Sequence, residues 1–183
     1  MGRSNRAHEP GGIYHVSTRG NNRAPIYFDE GDRTAFRHLL GRAAERHEWA
    51  IFAECLMTNH YHFVVQIGER LLADGMCELN GGFARAVNSA HGRQDHLFGK
   101  RYDDTPIESD AHLLEVCRYV VLNPVRAELT ATADDWRWSS FHATAGLRHA
   151  PGWLAVERVL GLFASDPQTA RARYESFVRE APA

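Results

Sequence analysis

The stretch MTNHYHFVV (residues 57–65) sets His60 and His62 two apart inside an apolar run. Side chains of an extended strand alternate, so both imidazoles leave one face and Tyr61 and Phe63 leave the other. Two ring nitrogens on one face can converge on a cation. In a chain with 11 histidines, such a pair also reads as two partly exposed residues on a sheet surface. A further ligand has to come from elsewhere, and AHLLEVCRYVVLN (111–123) offers one. At about 100° per residue, Leu113, Leu114, Val116, Cys117, Val120 and Val121 share a broad apolar helix face. His112, Glu115, Tyr119 and Asn123 form a polar stripe on the opposite side, with Tyr119 and Asn123 neighbours at a spacing of four. By spacing alone this is an ordinary solvent-facing stripe. Turned toward His60 and His62, it brings a phenol and an amide oxygen to the two imidazoles.

That set has a definite chemistry. A phenol loses its proton only near pH 10 in water. An adjacent divalent cation favours the phenolate and, bound to a non-bridging phosphate oxygen, acts as a Lewis acid at phosphorus. The tyrosine then serves as a covalent nucleophile. The broken strand is held as a phosphotyrosine whose bond energy is kept for rejoining. A hydrolase built on the same histidines needs a positioned water instead, and survives loss of the tyrosine hydroxyl.

The elements that must position these residues follow from pattern. GIYHVSTRG (12–20) alternates as a strand. Asp29 opens a helix with acids in its first turn and Phe36, Leu39, Leu40 and Ala43 at helical spacing, to about His47. Residues 49–57 and 60–67 read as strands joined by the Thr58–Asn59 turn. Residues 68–78 carry no clear period, and 81–92 reads as a helix closed by Gly92. Residues 97–109 read as a strand that Pro106 places at an edge or interrupts. Asp110 is expected to cap the next helix, and Pro124 to end it near Asn123. WRWSS (136–140) is a linker or anchor, and 153–163 and 167–180 are terminal helices. The order strand–helix–strand–strand–helix–strand predicts an α+β, ferredoxin-like antiparallel sheet with helices on one face, plus a C-terminal helical extension. We expect a core over residues 12–128 and an extension over 129–183 packed on it.

Length and composition bound the rest. With 183 residues, 44% of them hydrophobic, the chain suits one domain with a real core. Three widely spaced cysteines give neither a zinc pattern nor a disulfide framework. No signal-peptide core appears, nor an apolar run near the roughly 20 residues that cross a bilayer. The reading is a cytoplasmic, reduced, soluble protein. Its net charge of −2 does not advertise a nucleic-acid binder. Two segments are nevertheless basic: residues 1–27 hold four arginines against one acid, and 79–101 four bases against one acid. Arg19, Asn21, Asn22 and Arg23 in a polar turn can reach phosphates and base edges. Arg85, Arg93, Lys100 and Arg101 are candidates for a backbone groove. Tyr27 can stack on a base from its loop. Tyr14 and Tyr102 read as packing residues, and Trp136, Trp138 and Trp153 as buried anchors of the C-terminal region.

MTNHYHFVV resembles the histidine–hydrophobe–histidine (HUH) motif of single-tyrosine transposases. RYVVLNPVRAEL (118–129) resembles the segment that carries their nucleophile. YHVSTRGNNRAPIY (14–27) is similar to the first strand and Arg-Gly-Asn turn of REP-associated tyrosine transposases, HLFGKRYDDTPI (96–107) to their last core strand, and WRWSSFHATAG (136–146) with Trp153-Leu154 to their C-terminal region. The resemblance runs over roughly residues 12–180. It implies a transposase-like enzyme, a metal-dependent single-stranded DNA endonuclease and strand transferase. Such an enzyme cleaves and rejoins at hairpins of repeated extragenic palindromes through a 5′-phosphotyrosine. Carried over by position, Tyr119 is the nucleophile, His60 and His62 are metal ligands for Mg²⁺ or Mn²⁺, and Asn123 is the third ligand, where many relatives have glutamine. Thr58 stands where proline is usual, and Tyr61 is larger than the usual residue between the histidines. Strand alternation points Tyr61 away from the metal and rules it out as nucleophile. The alternatives are a non-catalytic or domesticated DNA-hairpin-binding protein, an unrelated metallohydrolase, and a relaxase-like relative. No long exposed apolar strand stands out, so we expect a monomer.

Overall fold

β1 (Ile13–Arg19) realises the predicted alternation in the computed structural model, which describes residues 8–180: Tyr14, Val16 and Thr18 are buried, and Ile13, His15 and Ser17 half-buried. β2 (Ala50–Leu56), β3 (His60–Gln66) and β4 (Asp103–Ile107) complete an antiparallel sheet in the order β2-β3-β1-β4. This is the expected ferredoxin-like order. The two crossover helices, α1 (Glu30–Arg46) and α2 (Leu72–Ala90), share one face, where Val16, Tyr61, Phe63 and Val65 join Phe36, Leu40, Met76 and Phe83. On the other face Phe52, Cys55, Val64 and Ile107 pack with Leu113, Cys117, Val120 and Val121 of α3 (Asp110–Val121). The short helices α4 (Asn123–Arg126), α5 (Phe141–Thr144) and α6 (Val156–Gly161), and α7 (Pro167–Arg179), follow α3, and α5 to α7 pack into this second cluster. No described helix is long and apolar enough to cross a membrane.

α1 begins as expected at Asp29, whose carboxylate accepts from Asp32 N while Asp32 reaches back, a reciprocal cap. α2 departs from expectation. It starts at Leu72, and Leu72, Met76, Leu79, Phe83 and Val87 form one buried stripe across the stretch without a clear period. Gly75 and Asn80 hide that period in the sequence. A Cβ on Gly75 would lie 2.2 Å from Trp49 Cζ2, so the glycine admits the indole. Asn80 accepts from the Tyr61 hydroxyl (2.5 Å), a polar residue satisfied across the core. Gly75→Ala therefore sets two effects against each other. Alanine favours a helix by about 1 kcal/mol, and forcing a methyl onto the ring costs about 1–3 kcal/mol. We expect the variant to melt at lower temperature by circular dichroism; an equal or higher midpoint would mean that Trp49 gives way.

Two further boundaries differ. The strand expected over 97–109 pairs only over Asp103–Ile107, at the sheet edge, with an isolated bridge from Phe98 to Gly20. Ser109, not Asp110, caps α3, its Oγ accepting from His112 N at 3.2 Å. α3 ends at Val121, close to the expected stop at Asn123, but the chain does not straighten at Pro124. It makes one more turn, α4, because proline has no N–H to lose at a first helical position.

The C-terminal segment closes the outer edge of β2. Leu56 N donates to Trp138 O (2.8 Å), Ser140 N to Glu54 O (2.9 Å) and Ala155 N to Ile51 O (2.8 Å). Trp136 Nε1 donates to Leu56 O (3.1 Å), and Trp138 and Trp153 pack against the core, so these indoles are anchors, as the sequence suggests. Beside this seam Glu54 is fully buried and ion-paired to Arg37 of α1. Burial raises the Glu54 carboxyl above its usual range, and the Arg37 guanidinium pulls the other way.

Candidate active site

α3 lies over β2 and β3, and β1 and β4 are left less covered on that face. His15 and Ser17 of β1 are half-buried there, and their cross-strand partners Thr105 and Asp103 are exposed. His62 stands on this floor opposite Ser17, and His60 opposite Arg19. Tyr119 overhangs it from α3. Its ring centroid is 5.9 Å from that of His62 and 5.8 Å from that of His15, both edge-on.

The polar stripe is thus not opposite the apolar face of α3. His112 and Glu115 face solvent, Tyr119 sits at the margin of the packed face, and Asn123 is buried. A helix that covers only part of a sheet presents its flank, not its back, to the uncovered strands. Of the six tyrosines, Tyr119 is 38% exposed and the other five are buried, at 7% or less. Tyr61 points into the opposite core, as alternation requires. Tyr27 does not stand free to stack on a base. It is buried against Phe36 and Phe83 with Arg33 over its ring, because Ile26 N bonds to Thr58 O and draws the loop down.

The two histidines are held in their neutral form. Burial lowers His62 to about 3, with His15, His60 and Arg19 adding to it, and lowers His60 to about 4, with Arg19 adding to it. Both rings are therefore neutral at pH 7, the form that coordinates metals. His62 Nδ1 lies 3.0 Å from His15 Nε2, and His60 Nδ1 lies 2.7 Å from Asn59 Oδ1. With both Nδ1 atoms engaged, any ligand capacity of these two rings lies on Nε2. The Asn123 amide nitrogen donates to the carbonyls of Tyr119 (2.9 Å) and Val120 (3.4 Å). It substitutes for the donor that Pro124 lacks, and leaves the amide oxygen as the atom with ligand capacity.

The remaining candidates divide. Asn21–Arg23 form a tight turn beside the site, with Asn22 and Arg23 at φ of 51° and 59°, a conformation rare without glycine. Gly20 is required there, since a Cβ would sit 2.1 Å from Ala24 O. Gly99 N donates to Arg19 O, which brings the segment carrying Lys100 and Arg101 alongside. Lys100 pairs with Asp103. Arg93 lies over the ring of Phe28. Arg85 is exposed on α2, across the sheet from the histidines, and is not brought to the site. Sequence reasoning missed three neighbours: His15, Asn59, and Arg126, whose guanidinium lies 5.3 Å from the centre of the Tyr119 ring. The alternation of β1 put His15 on a definite face, but only the β1–β3 register shows that the face is the one carrying His62.

A second group with metal-ligand character, Asp29, Asp32 and His91, has its ligand atoms within 4.8 Å of one another. Its atoms are engaged already. Asp29 and Asp32 cap α1, and His91 Nε2 bonds to both Asp32 oxygens at 3.0 Å, tying the end of α2 to the start of α1.

Comparison with known proteins finds the same fold elsewhere. The structure of a REP-associated tyrosine transposase bound to a REP hairpin superposes with a TM-score of 0.69 at 18% identity, covering 91% of this chain and 93% of that one. A putative transposase from Deinococcus radiodurans R1 gives 0.44 at 18% identity, covering 66% and 95%. The tRNA(His) guanylyltransferase of Saccharomyces cerevisiae gives 0.49 at 9% identity, covering 98% and 86%. No curated protein matches the chain. The sequence model described as "Transposase IS200 like" matches residues 10–123, the whole sheet together with Tyr119, and the chain therefore belongs to the IS200-like transposase family, a family of DNA-processing enzymes.

Proposed function

We propose that the protein is a metal-dependent single-stranded DNA endonuclease and strand transferase acting at palindromic repeat hairpins through a 5′-phosphotyrosine. One observation carries the reading: of six tyrosines only Tyr119 is exposed, and its ring stands edge-on to the histidine carrying the most depressed basicity in the site. His60 and His62 would hold a Mg²⁺ or Mn²⁺ ion through Nε2, with the Asn123 oxygen as third ligand. The donor set fits, being two neutral imidazoles and one neutral oxygen, which also suit Mn²⁺. The cation, when bound, supplies Lewis acidity at phosphorus.

The chain's own residues do the rest. The Tyr119 oxygen gives up its proton to water and attacks the scissile phosphorus. The P–O3′ bond breaks and the departing O3′ takes a proton from water, leaving a 5′-phosphotyrosine and a free 3′-hydroxyl. Attack by a 3′-hydroxyl reverses the step and releases the tyrosine. His15 and Arg126 hold the phenol over the uncovered floor of β1 and β4, where an extended strand has room to lie. Arg19 and the Asn21–Arg23 turn, with Lys100 and Arg101 behind them, supply phosphate contacts and polar groups for base edges. The hairpin as substrate is supported by the fold shared with the hairpin-bound transposase. The covered β2 edge and the short, proline-bearing β4 support a monomer, since neither offers a long strand edge to a second copy.

The test is incubation with 5′- and 3′-labelled single-stranded hairpin oligonucleotides in Mn²⁺, Mg²⁺ or EDTA. We expect a protein–DNA adduct that survives denaturation, carries the strand 3′ of the cut and needs the metal. Tight hairpin binding with no cleavage in any metal would replace this reading with that of a non-catalytic binder.

A further inference from the structure

Resting on that metal reading, we infer that Asn59 is the positioning residue of His60, and that it joins this ligand to the Gly20–Ala24 turn as one unit. The argument is one of donors and acceptors. The Asn59 side chain makes two bonds of 2.7 Å, one to the carbonyl oxygen of Arg23 and one to His60 Nδ1. A carbonyl oxygen only accepts, so the atom facing Arg23 is the amide nitrogen. The atom facing His60 is then the amide oxygen, which also only accepts. The proton of the neutral His60 ring must therefore sit on Nδ1. Nε2 is left with its lone pair, the atom and state a cation needs. A residue beside the histidine thus sets both its rotation and its tautomer.

The same amide is one of three bonds that stitch the turn to the β2–β3 corner. Gly20 N donates to Asn59 O at 2.8 Å, and Ile26 N donates to Thr58 O at 3.3 Å. The turn needs holding, because Asn22 and Arg23 are consecutive left-handed residues. A shift of Arg23 pulls on the amide whose other end orients His60. The turn proposed to meet DNA and the ligand proposed to meet the scissile phosphate therefore move together.

The experiment measures Mn²⁺ alone, without DNA, by the paramagnetic resonance signal of the free ion, for wild type and for Asn59→Asp, Asn59→Ala and His60→Ala. Aspartate keeps an acceptor on His60 Nδ1 and loses the donor to Arg23. Alanine loses both. We expect Asn59→Ala to bind about 10–100-fold more weakly, and Asn59→Asp to stay within about threefold of wild type. Equal losses in the two variants would assign Asn59 to the turn alone and overturn the inference, as would no loss in either. Wild type and His60→Ala binding alike would sink the metal reading and this inference with it, a distinguishable result. Nitrogen-15 spectra of the wild-type His60 ring give a check that needs no variant: the proton is expected on Nδ1, and a proton on Nε2 overturns the assignment.

Discussion

Tyr119→Phe will form no covalent adduct with single-stranded DNA, and strand cleavage will fall by on the order of 10⁴-fold or more. The substitution removes one oxygen and keeps the ring, so the packing against His15, His62 and Arg126 stays. Mn²⁺ affinity and melting temperature should therefore match wild type, which separates lost chemistry from lost structure. No other tyrosine can replace it. Tyr14, Tyr27, Tyr61, Tyr102 and Tyr174 are all buried, and burial pushes the phenols of Tyr27, Tyr61 and Tyr174 away from ionisation. Denaturing gels of labelled hairpin and protein read the result directly. Metal-dependent cleavage that persists at the wild-type rate in the variant would make water the nucleophile and the protein a hydrolase.

The largest effect on stability is expected far from the chemistry. Arg37→Met leaves the fully buried Glu54 carboxylate without its partner, which costs about 3–5 kcal/mol at neutral pH. Replacing both residues, as Arg37→Met with Glu54→Leu, should recover most of that loss, because the apolar pair leaves no charge behind. The deficit of the single variant should depend on pH with a definite sign. Burial already raises the Glu54 carboxyl above its ordinary value of 4.5, and removing the guanidinium raises it further. Between 4.5 and the folded-state value, the folded protein then binds more protons than the unfolded one, so stability rises as pH falls through that window. Urea unfolding at neutral and mildly acidic pH measures this. A deficit that is equal or larger in acid would show that Glu54 finds another partner.

The parts of the fold that were legible are those where local pattern and tertiary demand agree. HYHFVV and IYHVSTR alternate because the sheet they enter has two different faces, and that alternation alone puts His62 and Tyr61 on opposite sides. α2 was half-hidden because Gly75 answers to Trp49 and Asn80 to Tyr61, residues on other elements. Tyr27 misled because NNRAPIYF is polar and proline-bearing on paper, while one bond to Thr58 draws its end into the core. The two histidines and Tyr119 were legible as a motif. Their meeting, and the presence of His15 and Arg126 beside them, depends on register and helix placement, which no stretch of the chain encodes alone.

The seam along β2 has a consequence for the order in which the molecule is made. The strand leaves the ribosome early, but the groups that satisfy its outer backbone arrive with Trp138, Ser140 and Ala155, some eighty to a hundred residues later. Until then the nascent chain carries an open strand edge, with Phe52 and Val64 lacking part of their cover. That is the state in which unsatisfied edges recruit other chains. A chain cut back to the stretch shared across the family would be held in that state permanently. The terminal segment thus acts as a built-in guardian of solubility, and only its arrival makes the sheet safe from its neighbours.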